Sequence, residues 1–397
     1  MYFILHILTA LLFLYLVATI PYLFILACAG RFGKLKTWTA ATPKARIAVI
    51  IPSYKEDNII VDTALQASTH NYPKDKFLVT VIADQLQPET IQRLRSIPVN
   101  VVQVQWEKSM KAKSLNAAFS LLAPERFDLA LILDADNIMS AGCLDKINHA
   151  WQNGWKAIQC HRTAKNKNNA VAILDALSEE INNTIFRRGQ RVLGLSCALI
   201  GSGMAFEFDL IQNIFSTPGI QDNPGEDKEV ELQLIKKGIS VEFLDDAWVY
   251  DEKVQRKEVF ERQRTRWLGT QLQGLRPLLS RDMRAGFTKG IYLHKLFEWF
   301  LLPRILLMTL LALLAALAVI DAVSGLPLLF PYWAWWIGMT ALYGLTLLIA
   351  IPAAFYNADT LKALLKIPVL VLSMFKALLG VRKNKSGFIH TPKEFSN

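Results

Sequence analysis

No two cysteines in this chain are spaced C-x-x-C. The four present, Cys28, Cys143, Cys160 and Cys197, have no histidine at metal-ligand spacing. That sets aside zinc modules and disulfide scaffolds, and it fits a reduced compartment for the soluble part. No G-x-G-x-x-G follows the first apolar strand, and G-x-x-x-x-G-K-[ST] does not occur, which argues against a dinucleotide oxidoreductase and a P-loop NTPase. There is no arginine-rich arm, so nucleic acid is not an expected partner. Internal repeats and low-complexity segments are also missing.

What the chain has in excess is apolar residues. They make up 52% of 397, too many for an ordinary soluble enzyme, and they collect at the two ends. Tyr2 to Ala29 is almost uncharged and exceeds the ~20 residues that a spanning helix needs. Arg31, Lys34 and Lys36 follow it, so the amino terminus is expected outside and the chain continues into the cytoplasm. A cleaved signal peptide ending at Ala27-Cys28-Ala29 is the competing reading. The missing basic start and the positive charge after the segment disfavour it. Ile305 to Leu326 and Leu328 to Pro352 can also span, and their connection lacks Lys and Arg, as an outside loop should. Gly286 to Phe300 mixes charge with aromatics and reads as interfacial. Leu361 to Leu379 carries Lys362, Lys366 and Lys376, which favours an amphipathic helix on the cytoplasmic face over a further span. The net charge of +10 then points first to a membrane surface. The expected organisation is a membrane helix in 1–30 and a cytosolic domain in 45–270. Interfacial helices in 271–300, two spans in 301–352, and an amphipathic or third carboxyl-terminal membrane helix with a basic tail in 353–397 follow. The expected location is the inner (plasma) membrane, multi-pass, with the catalytic domain cytoplasmic.

The central domain alternates strands and helices. Residues 46–52, 77–82, 101–104 and 129–133 read as buried strands, while 59–68 and 111–122 read as helices. This is the pattern of an α/β fold with a doubly wound, mostly parallel sheet. Several strands end in acidic groups: Glu56 and Asp57, Asp84, then Asp134 and Asp136. Ligands of such sheets bind at these ends. Asp134 and Asp136 are two apart, so extended backbone would aim both to one side, where carboxylates suit a hard divalent cation. The alternative is a turn or helix cap. Lys111 and Lys113 could help with phosphates. Gly201-Ser202-Gly203 could let a ligand approach backbone. Gly225-Glu226-Asp227 opens a helix, where an acid also suits the dipole. On a helix, Gln263, Arg266 and Trp267 would share one face.

Taken together, Ile50-Ile51-Pro52-Ser53-Tyr54-Lys55-Glu56, Asp84, Lys111-Ala112-Lys113-Ser114-Leu115-Asn116, Asp134-Ala135-Asp136, Gly201-Ser202-Gly203, Gly225-Glu226-Asp227 and Gln263-Arg264-Thr265-Arg266-Trp267 resemble the membrane-embedded family-two glycosyltransferases. These include cellulose, chitin, hyaluronan and poly-N-acetylglucosamine synthases. The resemblance covers residues 45–270 and implies a GT-A-like fold flanked by transmembrane and interfacial helices. It implies an inverting transferase that moves a sugar from a nucleotide-sugar, a UDP-sugar first, to a growing polysaccharide, with Mg²⁺ or Mn²⁺. It places Glu56, Asp84, Lys111, Asp134 and Asp136 at nucleotide-sugar-binding positions, with Asp84 on the base or ribose and Asp134 and Asp136 holding the metal. Asp227 would be the catalytic base. Gly201, Ser202, Glu226, Gln263, Arg266 and Trp267 would face the acceptor and the donor diphosphate. Three departures stand out. Ala83-Asp84-Gln85 has one acid where the family often has two, Gly225 replaces a threonine, and Phe388-Ile389-His390-Thr391 lacks the tryptophan and arginine of a tail motif. So few spans make a polysaccharide pore dependent on a partner subunit or homo-oligomer. A non-processive transferase adding one sugar to a lipid-linked acceptor is the alternative, and an inactive anchored scaffold is a more remote one.

Overall fold

The computed structural model describes residues 2–223, 225–253 and 290–367. The helices are α1 (Tyr2–Phe32), α2 (Ile60–Ser68), α3 (Pro88–Arg95), α4 (Lys111–Leu122), α5 (Cys143–Gln152), α6 (Ala170–Asn183), the single turn α7 (Gln190–Val192), α8 (Phe208–Phe215), α9 (Glu226–Lys236), α10 (Gly290–Trp299), α11 (Arg304–Ser324), α12 (Trp333–Ala350) and α13 (Ala358–Leu364). The strands are β1 (Ile47–Tyr54), β2 (Phe77–Asp84), β3 (Asn100–Val104), β4 (Leu129–Ile132), β5 (Ile138–Met139), β6 (Ala157–Ala164), β7 (Met204–Glu207) and β8 (Glu242–Asp251).

The strands form one 8-stranded sheet in the order β3-β2-β1-β4-β7-β6-β8-β5. The first four run parallel, as their apolar runs predict. Alternate residues of β1 feed the two faces: Ile47, Val49 and Ile51 pack with α2 and α5, while Ala48 and Ile50 pack with α4 and α8. The second half holds the antiparallel part of this mostly parallel sheet. β7 runs antiparallel to both β4 and β6, while β8 is parallel to β6. The cause is the Gly201–Gly203 turn. Gly201 and Gly203 have φ of 82° and 63°, values an L side chain rarely adopts, and Gly203 N–H donates to Ile132 O at 2.9 Å. The chain therefore re-enters the sheet at the carboxyl end of β4 and has to run back along it.

The helices α1, α11 and α12 are long and apolar enough to cross a membrane. Their apolar faces share one core with α6, built on Leu16, Leu23, Leu177, Leu311 and Trp336. The start of α1 meets the α11–α12 connection, with His6 Nε2 2.8 Å from Pro327 O and Phe330 N–H donating to Thr9 Oγ1 at 3.1 Å. The other end of α1 lies against a π-helical turn, Thr184–Gly189, that continues α6. There the two backbones touch. A Cβ on Gly30 would sit 2.0 Å from Thr184 O, and one on Gly189 would sit 2.2 Å from Leu26 O. Backbone carbonyls cannot step aside, so Gly30→Ala is expected to destabilise the protein by about 1–3 kcal/mol. Thermal unfolding in detergent measures this. Gly338→Ala is the control, neutral or stabilising, because its Cβ meets nothing within 4 Å.

Candidate active site

The site is built where β1, β2 and β4 end and α4 and α9 begin. Lys111, the first residue of α4, is its centre. Its Nζ donates to Asp134 Oδ1 at 2.6 Å and to Gly201 O at 2.6 Å, and lies 3.4 Å from Glu226 Oε1. Burial works against the lysine charge, but Asp134 and Glu226 outweigh it and hold Lys111 above its ordinary value. The Glu226 carboxyl is pushed up by burial, Lys111 pulling against this and Asp227 adding to it. Asp227 faces the same space. A Cβ on Gly201 would lie 3.7 Å from Asp227 Oδ2 and 4.0 Å from Lys111 Nζ, so glycine keeps this gap open. Lys111, Asp134, Gly201, Glu226 and Asp227, scattered over more than half of the domain's sequence, meet here.

Asp134 and Asp136 do not lie along an extended strand. β4 stops at Ile132 and a turn follows, closed by Asn137 N–H donating to Asp134 O at 3.0 Å. The same-side orientation expected from extended backbone is therefore replaced by a split. The Asp134 side chain is 29% exposed and reaches Lys111, whereas Asp136 is 1% exposed. The Asp136 oxygens are aimed by Glu252 N–H at 3.1 Å and Asn137 Nδ2 at 3.3 Å. Ser202 is fully buried beneath this turn. Its Oγ accepts from Asp134 N–H at 2.9 Å and donates to Asn137 Oδ1. Ser202 thus shapes the Asp134 loop from below. These donors are all oxygen, which fits a hard divalent ion. Among the described residues no group of three or more His, Cys, Asp or Glu forms a cage, so an ion here would take part of its shell from substrate and water.

Asp84 ends β2 at the same edge, paired in register with Tyr54 of β1. It is 2% exposed, and among the described residues its Oδ1 has no hydrogen-bond partner. The residues that follow β1 and β2, Lys55 and Gln85, both have φ of 56°, strained for non-glycine backbone and common where function demands a fixed loop. Glu56 lies in the β1 loop, its carbonyl accepting from Ile59 and Ile60 N–H at 3.2 and 3.1 Å. Burial raises the Asp84 carboxyl above its ordinary 3.8, with Ser109 and Lys55 opposing. A raised folded value means that ionised Asp84 costs stability, and that this cost vanishes as pH falls below the ordinary carboxylate range. Asp84→Asn should therefore melt at a higher temperature than wild type at neutral pH. The stability gain should fade on acidification through that range, read by thermal unfolding across pH.

Gln263, Arg266 and Trp267 lie outside the described residues, as do most of Leu361–Leu379 and the tail motif. Other residues at the site were not anticipated. Gln159 is fully buried, and its amide holds Ser202 O at 2.9 Å and Ile200 N–H at 3.1 Å, bracing the glycine turn. Arg162 donates to Glu179 Oε1 at 2.6 Å and to Ile200 O at 3.2 Å. Lys253 joins Glu179 and Asp251 behind Asp136. The cluster Asp251-Glu252-Lys253 at a strand end was the sequence signal for the last of these.

The sequence profile described as "Glycosyltransferase like family 2" matches residues 43–270. No curated protein matches the chain by sequence. Among solved structures, the mannosyltransferase PcManGT from Pyrobaculum calidifontis, in complex with GDP-Man and Mn²⁺, aligns over 87% of this chain and 98% of its own, at 19% identity and TM-score 0.51. It shares the fold. Glucosyl-3-phosphoglycerate synthase from Mycobacterium tuberculosis, in complex with Mn²⁺, UDP and phosphoglyceric acid, aligns over 61% of this chain and 84% of its own, at 14% identity and TM-score 0.43. TarS 1-349 of S. aureus aligns over 86% and 92%, at 12% identity and TM-score 0.41. The expected GT-A-like architecture is present, and with more than half its length matched, the chain belongs to the glycosyltransferase-like family 2.

Proposed function

We propose that the protein is a membrane-bound, inverting, metal-dependent glycosyltransferase that moves a sugar from a nucleotide diphosphate donor, a UDP-sugar first, onto a growing polysaccharide. The observation that carries this reading is the meeting of Lys111, Asp134, Gly201, Glu226 and Asp227 at the carboxyl edge of a family-two sheet. Asp227 takes the proton of the acceptor hydroxyl. That oxygen attacks the anomeric carbon from the face opposite the diphosphate, the carbon–phosphate oxygen bond breaks, and the configuration inverts. Asp84 receives the nucleoside. Asp136 and Asp134 would hold Mg²⁺ or Mn²⁺, which when bound neutralises the charge of the leaving diphosphate. Lys111, kept charged by its two carboxylates, adds a fixed cation beside that space. Gln263, Arg266 and Trp267 would complete the diphosphate and acceptor side.

The catalytic domain belongs in the cytoplasm on this reading. Arg31 and the lysines after it lie at one end of α1. The connection between α11 and α12, which lacks Lys and Arg, meets the other end. A second reading, single addition to a lipid-linked acceptor, is favoured by the membrane part. Three candidate spans among the described residues are few for a polymer channel in one subunit. A screen of purified protein with UDP-glucose, UDP-N-acetylglucosamine and related donors, with and without Mn²⁺, tests the proposal through nucleotide release. Product length on a gel separates the two acceptor readings. No release from any donor would overturn both.

A further inference from the structure

The strand edge holds the start of α9, but the far side of that helix is held from the membrane. Lys295 on α10 is 1% exposed. Its Nζ lies 3.0 Å from Glu231 Oε1 on α9 and 2.8 Å from Glu298 Oε2 on its own helix. Glu231, also 1% exposed, takes a second cation from Lys228 at 2.9 Å. Glu298 also accepts from Gln190 Nε2 at 2.8 Å. Leu232 and Ile235 of α9 close over Tyr292 and Trp299 of α10. The helix α10 is in turn fastened to α1, where Tyr22 OH lies 2.8 Å from His294 Nε2 and the Tyr22 and Phe297 rings meet edge-on at 5.1 Å. A continuous set of contacts thus runs from a membrane helix, through Lys295 and Glu231, to the helix that begins with Glu226 and Asp227.

Packing alone does not call for this chemistry. Burying these charges costs desolvation, and apolar residues of similar volume commonly stabilise such an interface as well or better. What opposite charges add is a single register between two helices, because the groups pair in only one alignment. We propose that Lys295 is a positioning residue. Its pairing with Glu231 fixes α9 to the membrane-side helix α10, and so sets the direction in which Asp227 faces the acceptor. The proposal rests on Asp227 acting as the base. It assigns to Lys295 no contact with substrate.

The test uses the full chain in detergent or nanodiscs, with Lys295→Met and Lys295→Arg. Loss of the ammonium leaves Glu231 paired with Lys228, and Glu298 hydrogen-bonded to Gln190 but without a cation, so Lys295→Met should also melt lower, and Lys295→Arg, which keeps the charge, is the variant that should keep wild-type stability. The first readout is backbone deuterium exchange. Lys295→Met should raise exchange in residues 226–236 selectively, and Lys295→Arg should restore it. The second is turnover of whichever donor the screen finds. Lys295→Met should lower kcat by about 10²-fold with donor KM changed less than about twofold, since a misdirected base costs rate rather than donor binding. Exchange needs no substrate, so an inactive wild type would fail the functional reading while leaving this one tested. Unchanged exchange in α9, exchange rising evenly through the whole protein, or failure of arginine to rescue would each overturn the assignment.

Discussion

Asp227→Asn should lower turnover by about 10²–10⁴-fold and leave donor affinity near wild type, the loss typical of removing a positioned general base. The substitution preserves shape. Asp227 Oδ1 accepts the Lys228 N–H at 2.8 Å, and an asparagine oxygen can keep that bond. The other oxygen faces the gap at Gly201, where the proposed function would bring the acceptor hydroxyl. Steady-state kinetics of nucleotide release, beside equilibrium binding of the nucleotide, measure the two halves separately. Glu226→Gln is the informative companion. Glu226 is paired with Lys111 at 3.4 Å, so its effect should run through the lysine and appear in donor binding. An Asp227→Asn protein with wild-type kcat would refute the assignment of the base.

The second large effect is expected at Asp136. Asp136→Asn should cost about 10²–10³-fold in turnover, as removal of one preorganised electrostatic group does. It should also move the Mn²⁺ concentration needed for half-maximal rate upward. Asp136 is held by Glu252 N–H and by Asn137, so its direction is set before any ligand arrives. Asparagine fills the same volume but presents only one oxygen. Circular dichroism of the variant should match wild type, and Mn²⁺ titration monitored by nucleotide release should show the shift. A variant with an unaltered Mn²⁺ requirement would remove Asp136 from the metal site.

Stretches with a strong local signal could be read without coordinates. The helix at Lys111–Leu122 and the strands ending at Asp84 and near Leu133 follow from apolar periodicity, and the structure places them at β2, α4 and β4. The helices long and apolar enough to cross a membrane follow from length and hydropathy, because such a helix needs no long-range partner to be recognised. The acidic strand ends were legible because polar residues interrupting a buried run have few other reasons to be there. The direction of β7 was not legible. A four-residue strand reads alike in either direction, and its direction is seen only in its antiparallel pairing with β4 and β6, which begins at the Gly203 to Ile132 hydrogen bond.

By itself, then, the sequence determined the α/β class, the flanking helices long and apolar enough to cross a membrane, and the acidic strand ends, since all are written in local composition. Tertiary structure alone decided that Asp134 and Asp136 part company across a turn, one reaching Lys111 and the other buried against Glu252. It alone joined Glu231 to Lys295 and Gln159 to the glycine turn. Such pairings are contacts between residues far apart in the chain, and the energy of a contact lies in its geometry, which no single residue records.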